Sequence, residues 1–479
     1  MMLENSDNKR VRVLSNSSSG IDCLIKVFGQ MGFRSRNLGD LPCDMLCVCL
    51  IGNERLGAPA SSLRLDRDEI GQIINRGVSS IILVTDSLLT PSLGCQSNKS
   101  RHFREDLLWF SDLMVNCSCM SVNSFTIKIG YCPDIGHVLS FQEACHLLRY
   151  QPIRQVTTFM DLVEPFRLLL SDGSSYLMGD LLYIDGGAHL SQIPPLSEKH
   201  CSSVYSFEQK ARSFNSDFDG RNVLVTGASS GIGKATALEL AKRNANVILV
   251  SRRENGLEDV AECVRNLGRK AWILPANLTD NNEAETLLGQ AVRLIDGPVH
   301  SAVYAAGQLG IADIDNSEVR RLTLQLNFAS PVELMSQLVK HWKESEVRGS
   351  FVMVSSVAAT MVPVPRVENY ASSKAAVTQY LRALAVSTGR YGFRFNAVCP
   401  GIIDTPMGGA AELPYRRGWL SRIPLRRVGK PEEVARIIVF LLSPTAELIT
   451  GTMTRVDGGF GLGNIASLAD LDTLDKGIF

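Results

Sequence analysis

The stretch Val223-Leu-Val-Thr226-Gly227-Ala228-Ser229-Ser230-Gly231-Ile232-Gly233 passes from a short apolar run into the start of a helical pattern. Its glycines permit a turn in which backbone N–H groups approach a pyrophosphate, with the positive end of the following helix behind them. Outward from it, apolar runs at 223–226, 246–251, 271–275, 301–305, 350–355 and 393–398 alternate with helical patterns. That rhythm predicts a doubly wound parallel sheet. A glycine triplet alone is a weak signal, but one set between strand and helix inside a long α/β stretch predicts a dinucleotide cradle. Thr226, Gly227, Ser229, Ser230, Gly231, Ile232 and Gly233 are its expected wall.

The chain has 479 residues, enough for two or three domains. Hydrophobic residues make up 45% and charged residues 20%, which excludes a disordered or fibrous chain. Lys+Arg and Asp+Glu are equal at 49 each, so no net field favours nucleic acid or an anionic membrane, and neither partner is expected. The polar start from Met1 to Arg10 does not read as a secretory signal, and no apolar run approaches a membrane span. The cytoplasm is the expected compartment. Nine of the 12 cysteines precede residue 146, but Cys47-x-Cys49 and Cys117-x-Cys119 lack zinc-site spacing, and no metal is expected.

An internal repeat organises the whole. Leu448-Ile-Thr-Gly451-Thr-Met-Thr-Arg-Val-Asp457-Gly-Gly459 matches Tyr176-Leu-Met-Gly179-Asp-Leu-Leu-Tyr-Ile-Asp185-Gly-Gly187, 272 positions earlier. Phe440-Leu-Leu-Ser443 likewise matches Leu168-Leu-Leu-Ser171, and Cys399-Pro400 matches Cys132-Pro133. Val11-Arg-Val-Leu-Ser15-Asn-Ser-Ser-Ser-Gly20-Ile21 echoes the glycine stretch at an offset of 211, against 267 at the cysteines, so the first copy lacks about 56 residues between them. The expected fold is therefore α/β: two tandem doubly wound parallel-sheet, Rossmann-like domains, the first shortened and degenerate. Its expected bounds are 1–190, a linker 191–218 rich in serine and proline, a catalytic domain 219–465 and a tail 466–479.

Tyr370-Ala-Ser-Ser-Lys374 falls on a helical pattern after the run ending Ser355-Ser356. Residues four apart share a helix face, and a cation beside a phenol favours its ionised form, bringing it toward neutral pH. Tyr370 is thus the expected acid/base. With the T-G-x-x-x-G-x-G motif, these residues make 219–463 resemble the short-chain dehydrogenase/reductases, over about half the chain. The resemblance implies a tetrad of Asn327, Ser356, Tyr370 and Lys374. In it Ser356 holds the carbonyl oxygen, Asn327 positions a water passing protons to Lys374, and Lys374 also binds the nicotinamide ribose. It implies that Pro400, Gly401, Ile403 and Thr405 touch the nicotinamide, with Thr405 at its carboxamide. At the end of the second strand the family's NAD-binding members place an acidic residue. Ser251, Arg252 and Arg253 stand there instead, leaving room and positive charge for a 2′-phosphate, so NADP(H) is the expected coenzyme. Two departures alter the wall: the family's N-N-A-G is Tyr304-Ala305-Ala306-Gly307, and the usual aspartate is Asn277, followed by Leu278.

Carried into the first copy, the same register gives Ser15-Asn16 for Thr-Gly, Asp22 for the third glycine, Asp86 for the serine, and Phe103 and Leu107 for the tyrosine and lysine. The first copy is expected to be noncatalytic. The arrangement is similar to high-molecular-weight 3-oxoacyl-[acyl-carrier-protein] reductases, which implies a homodimer with the first copy packing on the catalytic domain. Between Pro406 and Arg427, the family's lid position, Met407, Leu413, Tyr415 and Trp419 are expected to cover an apolar substrate. Arg416, Arg417 and Arg422 suit an anionic carrier or solvent equally, and Arg348 and Arg390 are not clearly in register. The reading is an NADPH-dependent ketoreductase of a small-molecule carbonyl substrate, with carrier- or CoA-linked 3-oxoacyl thioesters among the options. The alternatives are an alcohol dehydrogenase of a polar or polycyclic metabolite and a nucleotide-binding scaffold without turnover.

Overall fold

A computed structural model of the chain describes residues 2–4, 10–15, 18–30, 34–35, 45–50, 80–86, 123–129, 152–153, 155, 157–170, 176–177, 180–190, 218–311, 315–363, 366–407, 420 and 422–462. The chain divides into two compact units, Met1–Gln209 and Lys210–Phe479.

The first unit contains β1 (Met2–Glu4), β2 (Arg10–Ser15), α1 (Ser18–Gln30), β3 (Arg34–Ser35), β4 (Met45–Leu50), β5 (Ser80–Asp86), β6 (Asn123–Ile129), α2 (Met160–Leu170) and β7 (Asp180–Ile184). Its sheet runs β3-β1-β2-β4-β5-β6-β7. From β2 through β4, β5 and β6 to β7 every pair is parallel. β1, however, is antiparallel to both β2 and β3, which corrects the expectation of a wholly parallel sheet. The reason is chain length: only residues 31–44 separate α1 from β4, too few for the helical crossovers that further parallel strands require. The sheet beyond β2 is completed instead by two short pieces lying close by in sequence. Phe28 of α1 and Phe166 of α2, both fully buried, meet edge to face at 5.1 Å in this unit's core.

The second unit contains β8 (Asn222–Thr226), α3 (Gly231–Lys242), β9 (Asn246–Ser251), α4 (Asn255–Asn266), β10 (Ala271–Pro275), α5 (Asn281–Ile295), β11 (Ser301–Tyr304), α6 (Ser317–Leu324), α7 (Ser330–Glu344), β12 (Ser350–Val354), α8 (Glu368–Thr388), β13 (Arg394–Pro400), α9 (Pro431–Leu442) and β14 (Met453–Val456). All seven strands are parallel, in the order β10-β9-β8-β11-β12-β13-β14. Val223 to Val225 and Val247 to Val250 are fully buried, as continuous apolar runs must be when helices cover both faces. The order reverses between β8 and β11, so the chain leaves these neighbouring strands in opposite directions and opens a crevice at their carboxyl ends.

The repeated Asp-Gly-Gly stretches fold alike. Gly186 and Gly187 have φ of 62° and 85°, Gly458 and Gly459 of 64° and 86°, all conformations that favour glycine. Asp185 Oδ1 accepts the Gly187 N–H at 3.0 Å, and Asp457 Oδ1 that of Gly459 at 2.9 Å. The match extends to hydrogen bonds: the Ile153 N–H donates to Gly186 O and the Leu425 N–H to Gly458 O, again 272 positions apart. Near the starts of α2 and α9, Asp161 and Glu433 each accept a backbone N–H at 2.8 Å, from Thr158 and Lys430. The turns differ in one respect. Asp185 Oδ1 also pairs with His189 Nδ1 at 3.0 Å, and that ring stacks on Tyr183, contacts that the glycine at 461 cannot make; in both turns the second carboxylate oxygen takes the backbone N–H four residues on, from His189 and from Gly461.

Arg394, buried at the start of β13, closes the carboxyl end of α9. Its guanidinium donates to the carbonyls of Leu441, Leu442 and Ser443, and burial lowers its pKa to about 10. Arg394→Met leaves those carbonyls without donors, and we expect it to lower unfolding free energy by about 3 kcal/mol. A fall in the urea midpoint at unchanged slope checks this.

Candidate active site

At the carboxyl end of β8, the Thr226 hydroxyl accepts the N–H groups of Ala305 and Ala306, each at 3.1 Å, tying together the two loops that flank the crevice. The approach is too close for side chains. A Cβ on Gly227 would lie 2.8 Å from Ala306 N, and one on Gly233 only 2.2 Å from Gly227 O. Ser230, at the N-cap of α3, makes no side-chain capping bond, so the helix meets the crevice with its backbone N–H groups. Ser229 packs against Gly256 at the start of α4, and the half-buried Ile232 lends its carbonyl to the Thr236 hydroxyl. Such a cradle, stripped of side chains at the head of a helix, fits the pyrophosphate of a dinucleotide.

At the end of β9, the Ser251 hydroxyl accepts the Arg253 N–H and donates to the Arg253 carbonyl, folding the following turn back on itself. Arg252 and Arg253 are exposed, and neither guanidinium has a hydrogen-bond or ion-pair partner among the described residues. Asn277 commits its side-chain oxygen to the Thr279 hydroxyl at 2.8 Å, while the buried Leu278 offers its carbonyl to the Ser330 hydroxyl.

The residues expected to react collect beyond β12. Ser355 and Ser356 part company there: the Ser355 hydroxyl meets Thr378 Oγ1 at 2.7 Å inside the α8 packing, and the Ser356 hydroxyl lies near enough to the Tyr370 phenol to pull its pKa down. Ser356 Oγ also accepts the Ala358 N–H at 3.1 Å, which fixes its direction. One turn along α8, Lys374 is buried, donates to Val354 O at 2.8 Å and stands 5.8 Å from the centre of the Tyr370 ring. Burial pushes the phenol above its ordinary pKa, against a smaller downward pull from Ser356, and pushes the lysine down to about 8. This corrects the expectation that the lysine draws the phenol toward neutrality: the ammonium is turned to the Val354 carbonyl, and desolvation outweighs it. Cys399, buried in β13, lies close enough to act electrostatically on both groups.

Asn327 joins this group from a π turn, Gln325–Ala329, between α6 and α7. Its Nδ2 donates to Gln308 O at 2.9 Å and Ser373 Oγ at 3.2 Å, and its Oδ1 accepts the Gln308 N–H at 3.0 Å. Both amide hydrogens are therefore spent on protein groups, and its side chain acts as a clip between the loop after β11 and α8. Gly307 faces the cluster: a Cβ there would stand 3.2 Å from Asn327 Oδ1, 3.6 Å from Lys374 Nζ and 4.0 Å from the Met407 methyl.

The family model described as Enoyl-(Acyl carrier protein) reductase matches residues 227–461. A cis-4-hydroxycyclohexanecarboxylate dehydrogenase of Sinomonas cyclohexanicum is 32% identical over 246 residues, 51% of this chain and 97% of its own length. A 3-oxoacyl-[acyl-carrier-protein] reductase of Thermotoga maritima is 34% identical over 244 residues, 50% of this chain and 98% of its own.

The chain is a member of the short-chain dehydrogenase/reductase family.

As a short-chain dehydrogenase/reductase it is an NAD(P)-dependent oxidoreductase, and the matches lie in its C-terminal half. Among solved structures it is similar to an actinorhodin polyketide ketoreductase with NADPH, at 29% identity and a TM-score of 0.47, covering 50% of this chain and 97% of that one. No helix among the described residues is long and apolar enough to cross a membrane.

Within this short-chain dehydrogenase/reductase, the loop after β13 divides in two. Gly401 packs on Asp457, Ile403 is buried, and the Thr405 methyl lies 3.1 Å from where a Gly231 Cβ would be. Thr405 is thus brought toward the head of α3, its hydroxyl donating to Ile403 O at 3.4 Å, while the Met407 methyl lies 4.0 Å from where a Gly307 Cβ would be. Leu413, Tyr415, Arg416, Arg417 and Trp419 lie outside the described residues, as do Asn16, Phe103 and Leu107. Asp86 is the last residue of β5, and Asp22 is exposed on α1. Arg348 packs its stem on Gly392, and Arg390 stacks on Tyr391, just before the amino end of β13, so both lie at the sheet edge opposite Ser356. Ser373 and Gln308 were missed in the sequence; the only signal for Ser373 was its place inside the Tyr370 to Lys374 spacing.

Proposed function

We propose that the C-terminal unit is an NADPH-dependent ketoreductase that converts a ketone to a secondary alcohol. The observation that carries the reading is the half-buried Tyr370 phenol, gathered with Ser356 and the buried Lys374 opposite Gly307 at the crevice beyond the strands' carboxyl ends. When bound, the coenzyme supplies the hydride. Ser356 holds the substrate oxygen on which negative charge develops, and Tyr370 gives that oxygen its proton. At neutral pH the phenol is protonated, the state needed to give a proton to the substrate oxygen. Lys374, with a pKa near 8, keeps its own proton through the neutral range and serves as the relay that reprotonates Tyr370. Asn327 holds the relay's geometry through Gln308 and Ser373.

The preference for NADPH rests on Arg252 and Arg253, two unpartnered cations beyond Ser251 where a carboxylate would repel a 2′-phosphate. Replacing both arginines by alanine is expected to raise KM for NADPH about a hundredfold, two charge-assisted bonds being lost, and to leave KM for NADH within about twofold. Steady-state kinetics with both coenzymes checks this.

The substrate class is a 3-oxoacyl thioester or a related biosynthetic ketone, in keeping with the apolar cluster that begins at Val357, the residue after Ser356, where the partly buried Met361 and Ile402 pack against Ile423 and Phe460. The first unit is read as a noncatalytic copy of the same fold, supported by its parallel strand order, its Asp-Gly-Gly turn and the Asp161 cap. Incubating the full chain with NADPH and a panel of 3-oxoacyl thioesters and free ketones, while following absorbance of the reduced coenzyme, tests the reading. Consumption matched by alcohol formation is expected; no consumption with any ketone overturns it.

A further inference from the structure

In the π turn Gln325–Ala329 the Ser330 N–H donates to the Gln325 carbonyl, five residues back. In the same register the Leu326 carbonyl would take the N–H of residue 331. Residue 331 is proline and has none. Leu326 is buried, so no water replaces the missing donor easily, and a buried carbonyl needs one. The donor comes from across the fold: the Tyr304 hydroxyl, fully buried at the end of β11, donates to Leu326 O at 2.9 Å. Burial also raises the phenol's pKa far above the ordinary tyrosine range, so it remains a donor at every working pH.

We infer that Tyr304 is a positioning residue, whose hydroxyl supplies the hydrogen bond that Pro331 withholds and so fixes the turn that aims Asn327. The next residue after Leu326 is Asn327, and its amide must meet three partners on two other elements: Gln308 N, Gln308 O and Ser373 Oγ. A backbone free to relax at Leu326 would rotate that amide away from them. Tyr304 occupies the first position of the stretch Tyr304-Ala305-Ala306-Gly307, so the same four residues line the crevice and brace the turn behind it. The consequence for turnover rests on the ketoreductase reading above; the consequence for Asn327 does not.

The test uses the full chain with Tyr304→Phe, Pro331→Ala and the two combined. Two quantities are read: kcat and KM for reduction of a ketone by NADPH, and hydrogen-exchange protection of the Gln308 amide, which donates to Asn327. Tyr304→Phe is expected to lower kcat about tenfold with both KM values within about twofold, and to lower Gln308 protection about tenfold. Pro331→Ala alone should leave both at the wild-type level. The combined variant should recover both to within about threefold, because residue 331 then offers its own N–H to Leu326 O. Unchanged Gln308 protection in Tyr304→Phe overturns the inference, as does a combined variant no better than the single one. An equal loss of protection across the sheet amides overturns it too, since that marks a merely structural role. If the wild-type chain reduces no ketone, the functional reading fails, and the exchange measurements still decide the role of Tyr304.

Discussion

Tyr370→Phe is expected to lower kcat for carbonyl reduction by about 10² to 10⁴, the range that general acid catalysis supplies. The ring stays, so the packing around it and the coenzyme cradle are untouched; only the proton donor is lost. NADPH binding, followed by quenching of protein fluorescence, should stay within about threefold of the wild-type chain. A variant keeping a tenth or more of the wild-type rate would show that another group delivers the proton. The same chemistry predicts the pH dependence of the unmodified enzyme. Tyr370 is raised by burial and keeps its proton across the neutral range, while Lys374 loses its proton as pH rises through about 8. Reduction should therefore be level below that value and fall above it, with the decline displaced when Lys374 is replaced by arginine. A rate that climbs through the same range contradicts this assignment.

Gly233→Ala is expected to weaken coenzyme binding about a hundredfold, which is the scale of a misplacement of about 1 Å in a preorganised site. The reason is steric. The added carbon would stand 2.2 Å from the Gly227 carbonyl oxygen, and this neighbour is backbone, not the end of a flexible side chain. Either α3 moves off β8 or the turn at Gly227 shifts, and both displace the N–H groups that meet the pyrophosphate. Calorimetric titration with NADPH measures the affinity, and circular dichroism with a thermal melt shows whether the fold survives. A folded variant that binds NADPH as tightly as the wild-type chain would remove the cradle from the account.

The parts of this architecture legible in the sequence are those encoded by short spacings. The turn from Thr226 to Gly233 and the pair Tyr370 and Lys374 each lie within eight residues, and the local backbone fixes their geometry. The choice between Ser355 and Ser356 is of another kind. Both hydroxyls follow β12, and only the packing of Thr378 against one of them leaves the other to Tyr370. Tyr304 reads in the sequence as a departure from the family pattern. Its role depends on Pro331, 27 positions away, and on a helix register that no local pattern reveals. The direction of the Tyr370 shift is hidden from the sequence for a similar reason. Helical spacing brings Lys374 near the phenol, but the Val354 carbonyl, on a different element, decides where the ammonium points.

The first unit teaches the same lesson at the scale of a sheet. A shortage of residues between the glycine stretch and Cys132 is visible by counting, and the structure shows only residues 31–44 between α1 and β4. Counting does not reveal what takes their place. A strand as short as β1 carries too little pattern to be read, and its antiparallel pairing with β2 and β3 arises only once the sheet has an edge to cover.

The central claim is that a phenol on α8 faces the nicotinamide of a bound NADPH, and a crystal structure of the NADPH complex tests it most directly. The account predicts the pyrophosphate over Gly227 to Gly233, the 2′-phosphate between Arg252 and Arg253, and the nicotinamide ring beside the Tyr370 hydroxyl. A nucleotide bound elsewhere, or a nicotinamide ring separated from Tyr370 by protein side chains, would contradict it.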